Sequence, residues 1–215
     1  MSYNDGARTK AEFRSKWRTT LKDPSYQAIL QKAGFYITLD DHELTDNSTL
    51  YNLPPEAMKA GLEAFHEALP APTLPDNRIW ASYRWGSTAE IFVLDCRTER
   101  QPETRVTTSP IYISEAQMTW LKEGLSSSPC QFKVILNSVP ILGFTDVWPE
   151  RPDRWQSYEE QREELLSHIV TEDIPNVLFL TGDYHLAYVA RLEPDGPYRN
   201  IWEVMVGPGA PRVPN

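Results

Sequence analysis

Apolar residues that recur every three or four positions predict five helices in this chain. The clearest covers residues 54–69, where Met58, Leu62, Phe65 and Leu69 fall on one face. The other helices are predicted over residues 10–21, 25–32, 114–125 and 158–170. Because each stripe must be removed from water, these segments should pack their apolar faces against a core.

Shorter apolar runs bounded by turn residues predict the strands. Three runs of this kind lie at residues 35–39, 134–136 and 177–180. Pairs of short segments, 78–83 with 88–95 and 188–192 with 201–206, predict two antiparallel hairpins.

The order of these elements indicates the fold class. Strand, helix and strand follow one another between residues 131 and 181, as a right-handed βαβ unit requires. The hairpins add antiparallel strands to the parallel ones, and the sequence contains neither internal repeats nor low-complexity segments. The simplest architecture is an α/β fold over residues 1–215, with one mixed sheet flanked by helices in a single domain.

Side chains able to bind a metal follow each of the three apolar runs. Asp41 and His42 come after the first run, Asn137 after the second, and Asp183 with His185 after the third. In open α/β sheets, ligands gather beyond the carboxyl ends of the strands. Carboxylate, amide and imidazole groups together suit divalent or trivalent cations, which most often serve the hydrolysis of phosphate esters. A solvated acidic turn is the alternative interpretation of the first group.

The net charge of the chain restricts its partners. With 30 acidic and 21 basic residues, the formal charge is −9. Binding of nucleic acid or anionic membranes by charge needs clustered Lys and Arg, so we expect neither partner. A metal could still supply the local positive charge that a small phosphate ester requires.

Neither the cysteines nor the N-terminus indicates secretion. Cys96 and Cys130 match no disulfide framework and no zinc spacing, and we expect them to be free and buried. No segment reaches the ~20 apolar residues of a membrane helix. The first ten residues are polar and lack the apolar part of a signal peptide. We therefore predict a soluble, cytoplasmic protein, which would be exported only with a signal segment upstream of Met1.

Five blocks in the same order resemble motifs of the PhoD-like (alkaline phosphatase D) metallophosphoesterases. Residues 39–43 read LDDHE and are followed by Asp46 and Asn47, which resembles the family block WDDHE…DN. Residues 94–97 resemble its LDTR segment, 117–135 its Q..WL…WKVI block, 153–162 its D.W..Y…R helix start, and 180–185 its LSGDVH block. The resemblance covers roughly residues 10–210, nearly the whole chain.

The resemblance implies a calcineurin-like α/β/β/α sandwich with mixed sheets around a cluster of two or more metals. By the same resemblance Asp41, Asp183 and His185 are metal ligands, and Asn137 is a weaker candidate at its strand end. The implied ions are divalent or trivalent, and the ligand types allow calcium, iron, manganese or zinc.

The implied activity is hydrolysis of phosphate monoesters or diesters by a metal-activated water. His42 would contact the phosphate or protonate the leaving oxygen. Arg97 could bind a phosphate oxygen bidentately, with a surface pair to Asp95 or Glu99 as the alternative.

The chain also departs from the family pattern. The first two family motifs, a strand ending in a metal-ligating Cys or Asp and a GD..Y strand, precede the first block. Only 39 residues precede Asp40 here, and their pattern predicts helices. The N-terminal βαβ unit of the domain is therefore expected to be absent, which would expose a sheet edge through which a homo-oligomer could form. A truncated, non-catalytic homologue acting as a binding or structural domain is the alternative function.

Overall fold

A mixed sheet organises the part of the chain that the computed structural model describes, namely residues 2–69, 74–75, 78–144 and 153–207. Its strands are β1 (Ala81–Trp85), β2 (Ala89–Val93), β3 (Phe132–Leu136), β4 (Val177–Thr181), β5 (Tyr188–Arg191) and β6 (Trp202–Met205). They lie in the order β1-β2-β3-β4-β6-β5. The four inner strands are mutually parallel, and β1 and β5 are antiparallel to their neighbours at the two edges.

The described residues contain five α-helices, as the apolar periodicity predicts. They are α1 (Lys10–Leu21), α2 (Pro24–Leu30), α3 (Pro55–Ala68), α4 (Glu115–Ser127) and α5 (Glu159–Thr171). Local capping explains where several of them begin. Thr9 and Glu12 form a capping box before α1, Asp23 caps α2, and the Ser114 side chain accepts from the backbone N–H of Gln117 in α4. None of the described helices combines the length and apolar composition needed to cross a bilayer.

Both predicted hairpins and the predicted βαβ unit are confirmed. The hairpin of β1 and β2 turns at Gly86, whose φ of +56° favours glycine. The second hairpin pairs β5 with β6, from Tyr188 opposite Met205 to Arg191 opposite Trp202. The helix α5 connects β3 to its parallel neighbour β4.

The strand predicted over residues 35–39 is wrong. This segment is extended but belongs to no ladder in the described structure. Side chains link it to the sheet: the hydroxyl of Thr38 donates to the carbonyl oxygen of Leu94, and Tyr36 accepts a hydrogen bond from Trp85 of β1. An apolar run becomes a strand only when a neighbouring backbone satisfies its N–H and C=O groups, and this requirement is not local. Leu39 is nonetheless fully buried and anchors the acidic residues that follow it.

In the described part of the chain, two apolar cores hold the fold together. The larger lies between the sheet and the helices α4 and α5, and includes Phe92, Ile135 and Phe179 from three adjacent strands. The smaller joins α1 and α3 to Leu39 and Leu44. Since Leu39 and Leu44 flank residues 40–43, the smaller core fixes both ends of the acidic turn. Cys96 and Cys130 are free and buried, as predicted, and burial raises the pKa of the Cys96 thiol to about 12.

The face of the sheet opposite α4 and α5 is apolar as well. Val134, Leu178, Leu180 and Val204 lie there and are only partly buried, and the neighbouring Trp202 is 40% exposed. Near-continuous apolar strands are typical of parallel sheets covered on both faces. A second sheet, as in the sandwich that the resemblance implies, would pack against this face.

A buried carboxylate in β6 holds the chain that leaves β3. Glu203 is fully buried and accepts hydrogen bonds from the backbone N–H groups of Ile141 at 2.8 Å and Leu142 at 3.0 Å. The hydroxyl of Tyr188 donates to the same carboxylate at 2.7 Å. Burial raises the pKa of Glu203 despite these three donors. The loop beyond β3 is therefore attached to a strand two positions away in the sheet.

We expect Glu203→Gln to remove one pH-dependent part of the stability. Because the pKa of Glu203 is raised in the folded protein, its contribution is full below its ordinary value of 4.5 and is lost as the pH rises through the folded pKa. The melting temperature of Glu203→Gln minus that of wild type should therefore increase as the pH rises from about 4.5 through the folded pKa of Glu203. Thermal melts of both proteins over a pH series test this, with Tyr188→Phe as the control that keeps the carboxyl group. A difference between Glu203→Gln and wild type that is constant with pH would contradict the assignment.

Candidate metal centre

Three carboxylates converge at the carboxyl end of the sheet. Asp40 and Asp41 come from the turn after residues 35–39, and Asp183 comes from the turn after β4. One oxygen of each lies within 4.8 Å of one oxygen of each of the others. We call Asp40, Asp41 and Asp183 the acidic cluster. Of its members, Asp41 and Asp183 were predicted as ligands from the sequence, whereas Asp40 was not.

Asp41 is held in its ionised form. Burial opposes its ionisation, but the positive charge of Arg97 and backbone hydrogen bonds outweigh burial and lower its pKa. Those bonds come from the N–H of His42 to Oδ1 at 2.8 Å and from the N–H of Asn47 to Oδ2 at 3.0 Å. Asn47 has a φ of +51°, which turns its N–H back toward Asp41. The backbone of Asn47 therefore helps to close the turn around Asp41.

Asp183 is less easily ionised. Burial raises its pKa to about 7, and repulsion from Asp40 and Asp41 adds to the effect, although Arg97 opposes it. Burial likewise raises the pKa of Asp40. Backbone geometry also sets Asp183 apart, since its φ is +75° and that of His185 is +54°. Non-glycine residues in this region are uncommon and concentrate at functional sites. The turn after β4 therefore contains both a buried carboxyl group, on Asp183, and two residues, Asp183 and His185, in an uncommon backbone conformation.

Arg97 lies within this cluster rather than on the surface. Its side chain is fully buried, and both Nε and Nη2 lie 2.7 Å from Oδ1 of Asp40. Nη2 is also 3.3 Å from Asp183, and Nη1 is 3.9 Å from Asp153. Its backbone N–H donates to Asp95, but its guanidinium faces Asp40 instead of Asp95 or Glu99. Phosphate binding by Arg97 stays a prediction, and its burial does not favour it.

His42 is oriented by a carboxylate that the sequence did not indicate. Its Nδ1 lies 2.8 Å from Oδ2 of Asp5, and its ring packs against Tyr3 at a centroid distance of 4.5 Å. Nε2 then lies 4.0 Å from Asp41 and 3.9 Å from Asp46. A carboxylate on one ring nitrogen fixes which nitrogen faces the site. Because Asp5 and His42 are 37 positions apart, no local pattern connects them.

A second group of possible ligands surrounds His42. One atom each of Asp41, His42 and Asp46 lie within 4.8 Å of one another. Asp41 therefore belongs to both groups and could serve as a ligand in either. Asp46 is the more exposed member, with 67% of its side chain accessible.

The other predicted ligands, Asn137 and His185, line the same cleft as Asp40 and Asp183. Asn137 is buried, and its Oδ1 already accepts from Trp155 Nε1 at 3.3 Å and from the thiol of Cys96 at 2.8 Å. His185 is exposed and lies beside Asp183 in a cleft of about 610 Å³ that Asn137 also lines. Within the described residues the structure brings neither side chain into the acidic cluster. Their roles as ligands stay predictions.

The donor set of the acidic cluster suits a hard cation. Carboxylate oxygens are the groups that calcium, manganese and iron prefer, and an imidazole nearby is compatible with zinc. Burial raises the pKa values of Asp40 and Asp183, and repulsion among the carboxylates adds to it, while Arg97 offsets part of the effect. A bound cation would likewise favour the ionised carboxylates. The residues present therefore fit an ion of the predicted kind.

An α/β sheet with carboxylates gathered beyond its parallel strands is the arrangement of a metallophosphoesterase-like fold, and comparison with known proteins supports this class. The chain belongs to the family of PhoD-like phosphatases, whose family model matches residues 2–210. It is 24% identical to "Alkaline phosphatase D" of Bacillus subtilis (strain 168), over 87% of this chain and 37% of that protein.

A solved structure agrees with this assignment. The chain superimposes on "Structure of PhoD" with a TM-score of 0.80 and 20% identity, over 94% of this chain and 45% of that one. The predicted metallophosphoesterase-like fold class is thereby confirmed. The chain spans less than half the length of both relatives.

Proposed function

We propose that this chain carries the acidic cluster of a metal-dependent phosphoesterase that hydrolyses phosphate monoesters or diesters. The observation that carries the proposal is the convergence of Asp40, Asp41 and Asp183 within 4.8 Å beyond the carboxyl ends of the parallel inner strands. Membership of the PhoD-like phosphatase family and similarity to a protein named alkaline phosphatase D support the reaction class. The ions would be divalent or trivalent, with calcium, iron, manganese and zinc as the candidates.

The acidic cluster would hold the ions through Asp40, Asp41 and Asp183, and His42 would take part in proton transfer. Bound ions of this kind make water nucleophilic near neutral pH and offset charge on phosphoryl oxygens. Asp5 keeps Nε2 of His42 on the side of Asp41 and Asp46. From there His42 would give a proton to the leaving oxygen of a substrate bound beside the ions.

Removing the ions should destabilise the protein. A ligand that binds only the folded state and is present at 100 times its Kd contributes about 2.7 kcal/mol, so chelation should lower the melting temperature by roughly 5–10 °C at this chain length. Asp183→Ala should remove this response together with the bound metal. Asp195→Ala, at an exposed position in the β5–β6 connection, is the matched control and should keep both.

Elemental analysis and turnover of aryl phosphate mono- and diesters complete the test. Bound metal together with hydrolysis that is lost in Asp183→Ala would support the phosphoesterase. Metal without hydrolysis would favour the alternative of a non-catalytic homologue that acts as a binding or structural domain. A melting temperature that responds to neither chelator nor added ions would contradict the metal centre itself.

A further inference from the structure

Hydrogen bonds in the turn after β2 hold Arg97 in its buried position. Asp95 accepts from the backbone N–H groups of Arg97 at 3.1 Å and Thr98 at 2.9 Å, which closes a tight turn directly after β2. Gln117 of α4 accepts from the N–H of Asp95 at 2.9 Å and donates to its carbonyl oxygen at 3.2 Å. This turn directs the guanidinium inward, where its exposed fraction is zero.

The carboxylates that face Arg97 come from three separate parts of the chain. Asp40 makes the closest contacts, at 2.7 Å from two guanidinium nitrogens, and Asp183 follows at 3.3 Å. Asp153 is at 3.9 Å. Buried like charges repel strongly, and removing the only nearby cation from such a group leaves uncompensated charge in the interior. Arg97 contacts two of the three members of the acidic cluster, Asp40 and Asp183.

We propose that Arg97 is an internal counter-cation, which keeps Asp40 and Asp183 assembled when no ion is bound and shares them with the ion when one binds. The inference rests on the proposed metal centre and assigns Arg97 a positioning role in place of substrate binding. An entering ion meets a cluster whose charge Arg97 already offsets in part. Arg97 therefore stabilises the ion-free protein and reduces the additional stabilisation that an ion provides.

Arg97→Met tests this linkage, because it removes the charge and keeps much of the side-chain length. Melting temperatures are measured in chelator and then with manganese chloride or calcium chloride added. The ion-free melting temperature should fall, and the rise on adding the ion should exceed that of wild type by more than ~2–4 °C, the change that roughly a fivefold shift in the folding equilibrium produces at this length. Arg97→Lys keeps the charge and should respond more like wild type.

Arg100→Met is the matched control for losing a buried arginine. Arg100 is also fully buried, but its guanidinium donates to the backbone carbonyl oxygens of Ser48 at 2.9 Å and Asp153 at 2.5 Å rather than to carboxylates. This variant should lower the ion-free melting temperature and leave the ion-induced rise as in wild type. An equal ion-induced rise in Arg97→Met, Arg100→Met and wild type would overturn the proposal.

A double variant covers the case in which Arg97→Met does not fold. Asp40→Asn combined with Arg97→Met removes both members of the pair, so the ion-free double variant should be more stable than Arg97→Met alone. If the double variant is no more stable than the single one, Arg97 is not a counter-cation. If the metal centre itself is wrong, wild type will show no rise in melting temperature when the ion is added. The comparison of the single and double variants in chelator would still decide the role of Arg97.

Discussion

Replacing His42 by alanine is expected to lower kcat by ~10²–10⁴-fold, the usual contribution of a positioned general acid. The structure supports this because Asp5 holds one ring nitrogen and leaves the other toward Asp41 and Asp46. Only 18% of the His42 side chain is exposed, so the ring has a defined position from which to transfer a proton. The loss should be largest for esters with poor leaving groups, which most need protonation, and smallest for nitrophenyl esters.

Steady-state kinetics on a preparation that hydrolyses aryl phosphates provide the measurement. His168→Ala is the control, because His168 lies in the last turn of α5 and contacts Ser126 and the carbonyl of Lys122 in α4 rather than the site. Metal content of His42→Ala should equal that of wild type. If the variant instead loses metal, His42 is a ligand in the group with Asp41 and Asp46, and the proton-transfer role is wrong.

Trp155→Ala is expected to cost about 3–5 kcal/mol in the free energy of unfolding, as truncation of a buried aromatic side chain does. Trp155 is fully buried, stacks on Tyr112 at 4.2 Å between ring centroids, and donates to the Oδ1 of Asn137. Its loss would leave a cavity in the larger core and remove one of the two hydrogen bonds that Oδ1 of Asn137 accepts. Chemical denaturation with an unchanged m-value would show that stability alone has changed.

Trp85→Ala is the matched comparison for this second prediction. Trp85 ends β1 and is 63% exposed, so its removal should change the unfolding free energy by no more than ~0.5 kcal/mol. If both tryptophan variants have the same stability, Trp155 does not support the core as the structure indicates.

Periodicity in the sequence determined the helices and most of the strands. The apolar stripe of α3 and the runs that became β3 and β4 are local signals, and local backbone preference agrees with burial there. The same reasoning failed at residues 35–39, because strand formation depends on a neighbouring backbone and not on the apolar run itself.

The candidate site likewise contains residues that the sequence predicted and contacts that it did not predict. The sequence predicted that Asp41 and Asp183 would meet, and they do, but the strand-end argument holds only for Asp183, which follows β4. Asp41 is brought there by a segment that belongs to no ladder in the described structure. Asn137 also lies at a strand end, but its oxygen is engaged by Trp155, which is 18 positions away. The contacts of Arg97 with Asp40 and of His42 with Asp5 join residues 57 and 37 positions apart. Sequence patterns report which local conformation buries apolar surface, whereas charge pairing between distant residues depends on how the whole chain packs, and only the tertiary structure decided it.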